Sequence, residues 1–225
     1  MAQGKKNARR KRATIVFLGE SGFSTTPSVR RTWAPRGKTP SLPHRFNWKR
    51  LSATGALATN HKGENVRLFL SLTPGSINSD RVQEFMRSLR RHIRGQVIIV
   101  WDGLPSHRSR SSTEFLSRQA HWLTVVRFPP QAPEPSPVEY LWGNARATYL
   151  ANYLPDDRGE LSAQVKRHAR HVSKKTSRSS PCFPQAFRAF LSSCYHCIIR
   201  DSIRRISSYP SEASRRLRQS HQKGL

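Results

Sequence analysis

Asp102 is one of two acidic residues in this sequence whose type and position could do chemistry. It follows the apolar run Val97–Trp101 and begins the sequence Asp-Gly-Leu-Pro-Ser-His. A carboxylate at the C-terminal end of a buried strand lies where an α/β sheet opens onto a crevice, which is where such sheets place their sites. Asp-Gly is also a common turn dipeptide, so the spacing by itself supports a turn and a site equally.

Glu139 is the second acidic residue, in the sequence Pro-Ser-Pro-Val-Glu-Tyr-Leu-Trp. The order of residues predicts a capping box, with Ser136 as the N-cap, Pro137 as the first helical residue and Glu139 as the reciprocal partner. Taken alone, this pattern favours a capping glutamate. A residue in the first turn of a helix can also face a metal, so the two roles are compatible.

A Cys-x-x-Cys pair, Cys194 and Cys197, lies near the C-terminus with Cys182 before it. A structural zinc site has four ligands, so this pattern would need a histidine to complete it. The candidate histidines are His168, His171 and His196. The irregular composition of this region favours a tail without a zinc site.

Hydrophobic periodicity predicts the elements that position the acidic residues. The predicted strands are 15–18, 51–59, 66–73, 97–101 and 122–128. The predicted helices are 82–93 with a cap at Asn78 or Ser79, then 109–120, 137–150 and 157–172. This order predicts an α/β protein with a mixed five-stranded sheet flanked by helices, as in the ribonuclease-H-like fold.

The chain divides into three parts by composition. Residues 1–13 are basic and polar and are interpreted as a linker or arm. Residues 14–172 contain the predicted strands and helices and are expected to form one domain. Residues 173–225 begin with a loop-like Ser/Lys/Arg run and continue as a basic, weakly periodic tail. No stretch approaches the ~20 apolar residues of a membrane span.

The charge of the chain indicates its partner. Lys and Arg number 40 against 13 acidic residues, giving a net charge of +27, which favours a polyanion such as DNA. An odd cysteine count fits a reducing compartment, so a cytoplasmic, nucleoid-associated location is expected. The residues expected to contact DNA are Arg81, Arg87, Arg90, Arg91 and Arg94 on one helix face, with Lys49 and Arg50.

Asp102 and Glu139 also belong to a larger pattern. After Asp102 comes His107, and 36 residues separate Asp102 from Glu139, the last residue of a Pro-x-Glu sequence at the start of a helix closed by Leu-Trp. Three further segments belong to the same pattern, namely Glu20–Phe23, Arg31–Gly37 and Trp48–Ser52. Together these motifs, spread from about Lys5 to Val172, resemble the DDE transposases. More narrowly, they are similar to the mariner-like superfamily found in bacterial insertion sequences.

The resemblance implies three carboxylates that bind two Mg²⁺ or Mn²⁺ ions for phosphodiester cleavage. Asp102 matches the second acidic position and Glu139 the third. The family has its first aspartate in a Phe-x-Asp-Glu sequence, where this chain reads Phe-Leu-Gly-Glu, so Gly19 takes its place. Glycine has no side-chain oxygen, and the two-metal site is therefore expected to be incomplete.

Glu20 is the alternative first ligand. Side chains alternate across a strand, so Glu20 should point away from the side that position 19 faces. A one-residue slip of the strand would correct this, but it would move Ile15 and Phe17 to the wrong face. Glu20 also matches the glutamate that follows the aspartate in the family.

The resemblance implies a transposase catalytic domain for metal-dependent DNA cleavage and strand transfer. The helix-turn-helix modules of full-length members are expected to be missing, and Gly19 is expected to leave activity weak or absent. The alternative is a non-catalytic DNA-binding relic, or a modulator that pairs with an intact transposase or with itself. A third reading, an RNA-associated basic protein, is disfavoured by the pairing of Asp102 with Glu139.

Overall fold

The computed structural model describes residues 13–43, 48–61, 64–101, 109–127 and 136–177. The strands are β1 Thr14–Ser24, β2 Arg50–Thr59, β3 Arg67–Pro74, β4 Val97–Trp101 and β5 Leu123–Arg127. The helices are α1 Ser79–His92, α2 Arg110–Arg118, α3 Pro137–Asn144 and α4 Arg158–Ser177, with a π-helical turn, Ala145–Tyr149, after α3. No helix in the described ranges is long and apolar enough to cross a membrane.

The strands form one mixed sheet in the order β3-β2-β1-β4-β5. β2 pairs antiparallel with both β1 and β3, whereas β4 pairs parallel with both β1 and β5. Parallel strands need a crossover connection, and α1 and α2 lie in the connections that lead into β4 and β5. The predicted mixed five-stranded sheet is therefore confirmed.

A different pair of helices covers each face of the sheet. On one face, Ile15 and Phe17 of β1 belong to a cluster with residues of α3 and α4. On the other face, Val16 and Leu18 belong to a cluster with residues of α1. This division follows the two-residue period of a strand. The two sides are called the α3 face and the α1 face below.

Several predicted boundaries agree with the structure. β4 begins and ends as predicted, and the side chain of Asn78 caps α1 by accepting a hydrogen bond of 3.0 Å from the Arg81 N–H. β1 is longer than the predicted strand 15–18 because it pairs with β2 as far as Ser24. The sequence pattern could not show this pairing, since the second half of β1 contains small and polar residues.

One predicted helix changes its geometry before its end, and the predicted end of another is wrong. The helix predicted over 137–150 changes to π-helical geometry after Asn144, and Leu150 N–H donates to the Ala145 carbonyl at 3.0 Å. α4 continues to Ser177, through residues predicted to form a loop. These residues include no glycine or proline, so nothing in the local sequence breaks the helix.

The connection from β1 to β2 runs over the surface, and Trp33 within it is 99% exposed. Its beginning is tied to the chain that follows the π-helical turn. Asn152 N–H donates to the Ser28 carbonyl at 3.0 Å, and Arg30 N–H donates to the Asn152 side chain at 2.8 Å. These bonds hold Ser28 close to the α3 face.

Candidate active site

Glu139 lies in the first turn of α3, which begins at Pro137. Its backbone N–H donates to the Ser136 carbonyl at 2.8 Å. The Ser136 side chain makes no capping hydrogen bond, and its buried hydroxyl has no partner among the described residues. The predicted capping box of Ser136 and Glu139 is therefore wrong for Ser136, whose side chain makes no capping hydrogen bond. The Glu139 side chain is exposed.

Gly19 faces Glu139 from β1. It is buried and paired with Gly55 of β2. A Cβ at position 19 would lie 3.2 Å from Cγ1 of Val138, 3.3 Å from Cβ of Val138 and 3.9 Å from Oε1 of Glu139. The structure therefore brings position 19 and the Glu139 carboxylate together. A longer side chain at position 19 would start beside that carboxylate.

Glu20 occupies the next position on β1, where its partner on β2 is Thr54. Even-numbered β1 residues, Val16 and Leu18, pack on the α1 face, and Ile15 and Phe17 keep their places on the α3 face. No slip of the strand has occurred. Alternation assigns Glu20 to the α1 face, so it does not share the side of the sheet from which Glu139 faces Gly19.

Asp102 and His107 lie outside the residues that the structure describes. The strand that leads to Asp102 is described, and its last residue, Trp101, pairs with Leu18, the neighbour of Gly19. Ile98 and Val100 of this strand pack with the cluster on the α3 face. Even-numbered positions of β4 therefore belong to the same face as Gly19 and Glu139.

Trp142 fixes α3 against the sheet one turn after Glu139. Its ring lies directly over Gly55, where a Cβ would be 2.5 Å and 2.7 Å from two ring carbons. The ring also meets Phe23 edge-on, with centroids 5.9 Å apart. Gly55 is thus required for this close approach. Sequence reasoning missed it, although a glycine inside a strand is a known signal of close packing.

The model of the DDE superfamily endonucleases matches residues 14–162 of this chain. The match covers more than half of the chain and includes each described element from β1 to the beginning of α4. The chain belongs to the DDE superfamily of endonucleases. No curated protein matches the sequence.

Solved structures of the Mos1 mariner transposase have the same fold as this DDE chain. The Mos1 paired-end complex with Mn is 20% identical, has a TM-score of 0.55 and matches 84% of this chain and 58% of the Mos1 chain. The Mos1 strand transfer complex is 16% identical, with a TM-score of 0.54 and coverages of 88% and 61%. The predicted ribonuclease-H-like fold is confirmed. The chain spans about three fifths of the length of these Mos1 chains.

The described residues of this DDE chain do not by themselves form a two-metal cage. Glu139 supplies one carboxylate, Gly19 supplies no side-chain oxygen, and Asp102 lies outside the described residues. Among the described residues, no group of three His, Cys, Asp or Glu side chains could hold a metal ion. Position 19 itself offers no side-chain oxygen to a metal ion, because it is a glycine.

Four of the five arginines predicted to bind DNA lie on α1, on the opposite side of the sheet from Glu139, and Arg94 follows the end of that helix. Arg90 is used within the fold, because its guanidinium donates to the Ile93 and Gly95 carbonyls and lies 4.7 Å from the Trp122 ring centre. Arg87 lies over the Phe115 ring. The other predicted DNA-binding residues are exposed, namely Arg81, Arg91, Arg94, Lys49 and Arg50.

His168, one of the histidines considered for zinc, is buried in α4 instead. Its Nε2 lies 3.1 Å from the Asn144 Oδ1, and its ring meets Tyr149 edge-on at 4.9 Å. Burial, with a smaller contribution from nearby His171, lowers the pKa of His168 to about 4. His168 therefore serves as a neutral packing residue that links α4 to the end of α3. The cysteines considered with it lie outside the described residues.

Proposed function

We propose that this chain is a DDE transposase catalytic domain for metal-dependent DNA cleavage and strand transfer, and that Gly19 impairs its catalysis. The observation that carries the proposal is the direction of position 19. A side chain there would start 3.9 Å from the Glu139 carboxylate, which is where a first acidic ligand would share a metal with Glu139. The family match supports the reaction class.

The remaining metal ligands are proposed to be Asp102 and Glu139. Asp102 follows Trp101 directly in sequence, and even-numbered positions of β4 belong to the α3 face. Mg²⁺ and Mn²⁺ take oxygen ligands, and the Mos1 paired-end complex contains Mn. Two carboxylates without a third should bind such an ion weakly. Glu20 is a poor substitute because alternation assigns it to the α1 face.

DNA is the proposed partner. The net charge of +27 and the exposed basic residues at both ends of α1 and at the start of β2 support an electrostatic contact with the phosphate backbone. One solved Mos1 structure is a paired-end complex with the left transposon end. The proposal includes pairing of this chain with a second copy of itself or with an intact transposase.

A second candidate function is DNA binding without catalysis, as a relic or a modulator of an intact transposase. The observation that favours it is the glycine at position 19, since the basic surface is kept while a ligand is missing. Both candidates predict DNA binding, and metal-dependent nicking separates them.

The experiment is Mn²⁺-dependent nicking of supercoiled DNA by three proteins: the unmodified chain, Gly19→Asp, and Gly19→Asp combined with Asp102→Asn. We expect background cleavage, a measurable gain, and loss of that gain. Metal-derived stabilisation of several kcal/mol corresponds to about a thousandfold in rate, since each ~1.4 kcal/mol is tenfold. Strong nicking by the unmodified chain that disappears with Glu20→Gln would contradict the proposal and identify Glu20 as the ligand.

A further inference from the structure

A small pocket lies beyond the C-terminal end of β1 on the α3 face. Its volume is about 210 Å³. The apolar part of its wall, Phe23, Leu150 and Leu161, belongs to the core cluster that also contains Val138. The polar part of its wall consists of Ser24, Thr26, Ser28, Arg146 and Tyr153. The pocket is therefore on the same side of the sheet as Glu139, unlike the arginines of α1.

Among the described residues that line this pocket, Arg146 is the one cation. It is half-buried, in the π-helical turn. It donates to the Ser21 hydroxyl and to the Gly22 carbonyl, the latter at 3.2 Å, and its guanidinium lies 5.4 Å from the Phe23 ring centre. None of these described partners is a carboxylate. A half-buried guanidinium has five donors, so donors remain for an anion.

The hydroxyl groups of the pocket add neutral donors. Ser24 and Thr26 are joined by a 3.0 Å hydrogen bond between their side chains, and Ser28 is held in place through Asn152. Burial raises the pKa of the Tyr153 phenol, and nearby Glu160 raises it further. Tyr153 is therefore a neutral donor at physiological pH, and it does not repel an anion.

Two carboxylates lie near Tyr153. Glu160 and Asp156 both raise the pKa of Tyr153, and Arg167 opposes them. The Glu160 carboxylate accepts a 2.8 Å hydrogen bond from the Asp156 N–H, and the Asp157 carboxylate accepts one of the same length from the Glu160 N–H. These acids are engaged at the start of α4. The group in the pocket wall that attracts an anion is thus Arg146.

We propose that this pocket binds a phosphate group of the DNA backbone and that Arg146 is a positioning residue for the strand that reaches Glu139. This inference rests on the proposed DNA-binding function. Arg146 follows Glu139 by two helical turns, or about 10 Å at 1.5 Å per residue. The pocket and the Glu139 carboxylate are therefore close enough for one DNA strand to reach both.

The first test compares DNA binding by Arg146→Gln with binding by Arg118→Gln. Both variants lose one positive charge. Arg118 is the control because it is exposed at the end of α2, away from the α3 face. We expect Arg146→Gln to weaken binding to a short duplex by about tenfold, as for one charge-assisted contact. It should also reduce the log–log salt slope by about 0.9. Arg146→Lys should restore the slope but only part of the affinity.

The second test uses inorganic phosphate on the protein without DNA. Phosphate should raise the thermal midpoint of the unmodified chain above that in chloride of equal ionic strength, and Arg146→Gln should lose this difference. Thr26→Val, which removes a hydroxyl from the pocket rim, should reduce it without removing the guanidinium. This variant keeps the test decisive if Arg146→Gln unfolds.

The outcomes separate this inference from the proposed function. If the unmodified chain binds DNA and Arg146→Gln binds it with the same affinity and salt slope as Arg118→Gln, the pocket is not a phosphate site. If the unmodified chain does not bind DNA, the proposed function fails, and the phosphate measurement alone decides whether the pocket takes an anion. Equal stabilisation of all variants by phosphate would overturn the assignment to Arg146.

Discussion

Replacing Gly19 with aspartate should make the stability of this protein depend on divalent metal ions. The new Cβ would lie 3.9 Å from Oε1 of Glu139, so the two carboxylates would be close neighbours. Two like charges 4 Å apart repel by about 1 kcal/mol in water and about 4 kcal/mol at an effective dielectric constant of 20. Because Glu139 is exposed, we expect a cost near the lower of these values.

The aspartate also carries a steric cost, which an uncharged control measures. A Cβ at position 19 would lie 3.2 Å from Cγ1 of Val138, so this side chain and the start of α3 must move by a few tenths of an ångström. Overpacking of this kind costs about 1–3 kcal/mol, less the ~0.5–1 kcal/mol gained by removing a glycine from a strand. Gly19→Asn has the same shape without the charge and is the matched control.

The assay is thermal unfolding with and without Mn²⁺. An ion at 100 times its dissociation constant stabilises the folded state by about 2.7 kcal/mol. For a domain of this size, that is a rise of about 5–10 °C in the thermal midpoint. We expect this rise in Gly19→Asp, a much smaller one in Gly19→Asn and the unmodified chain, and its loss when Asp102→Asn is added. Equal shifts in all four proteins would refute the shared-ligand reasoning.

Three further predictions follow from the structure. Gly55→Ala should lower the free energy of unfolding by more than ~3 kcal/mol in chemical denaturation, since a Cβ would lie 2.5 Å from Trp142 and overpacking is costly. Gly22→Ala is the control and should show no such loss, because its Cβ would meet nothing within 4 Å. Lowering the pH from 6.5 to about 4 should destabilise the protein by up to about 3 kcal/mol, because the pKa of His168 is about 4 in the folded state and the unfolded state takes up the proton first. If His168→Gln left the dependence of stability on pH unchanged, this explanation would be contradicted. Fluorescence anisotropy on two unrelated duplexes should show similar affinities that fall with salt at a log–log slope of about −0.9 per phosphate contact; a marked preference for one duplex, or a flat salt response, would count against electrostatic binding.

The elements with strong local signals could be predicted from sequence. β4 is a short, continuous apolar run, as expected of a strand buried on both faces, and its bounds agree with the structure. α1 has a polar cap at Asn78 and apolar residues at helical spacing, and both features are local. The second half of β1 could not be predicted in this way, since pairing with β2 extends it beyond its own sequence signals. The last residues of α4 were predicted to form a loop from their polar composition, but they contain no helix breaker and continue the helix.

The sequence by itself determined the chemistry that is available to this protein. The order of strands and helices, the acidic residues Asp102 and Glu139, the glycine at position 19 and the excess of basic residues are all properties of the chain. Together they led to the DDE family. Local patterns carry these signals because periodicity, turn residues and residue types do not depend on distant contacts.

Only the tertiary structure decided which of these groups can act together. It placed Gly19 beside Glu139, turned the Ser136 hydroxyl away from capping and put the arginines of α1 on the opposite side of the sheet. It also brought Arg146 to the end of β1, although 124 residues separate it from Gly22. The register of β1 against β2 and the seating of Trp142 on Gly55 fix these distances. They depend on contacts between remote segments, which no local sequence pattern specifies.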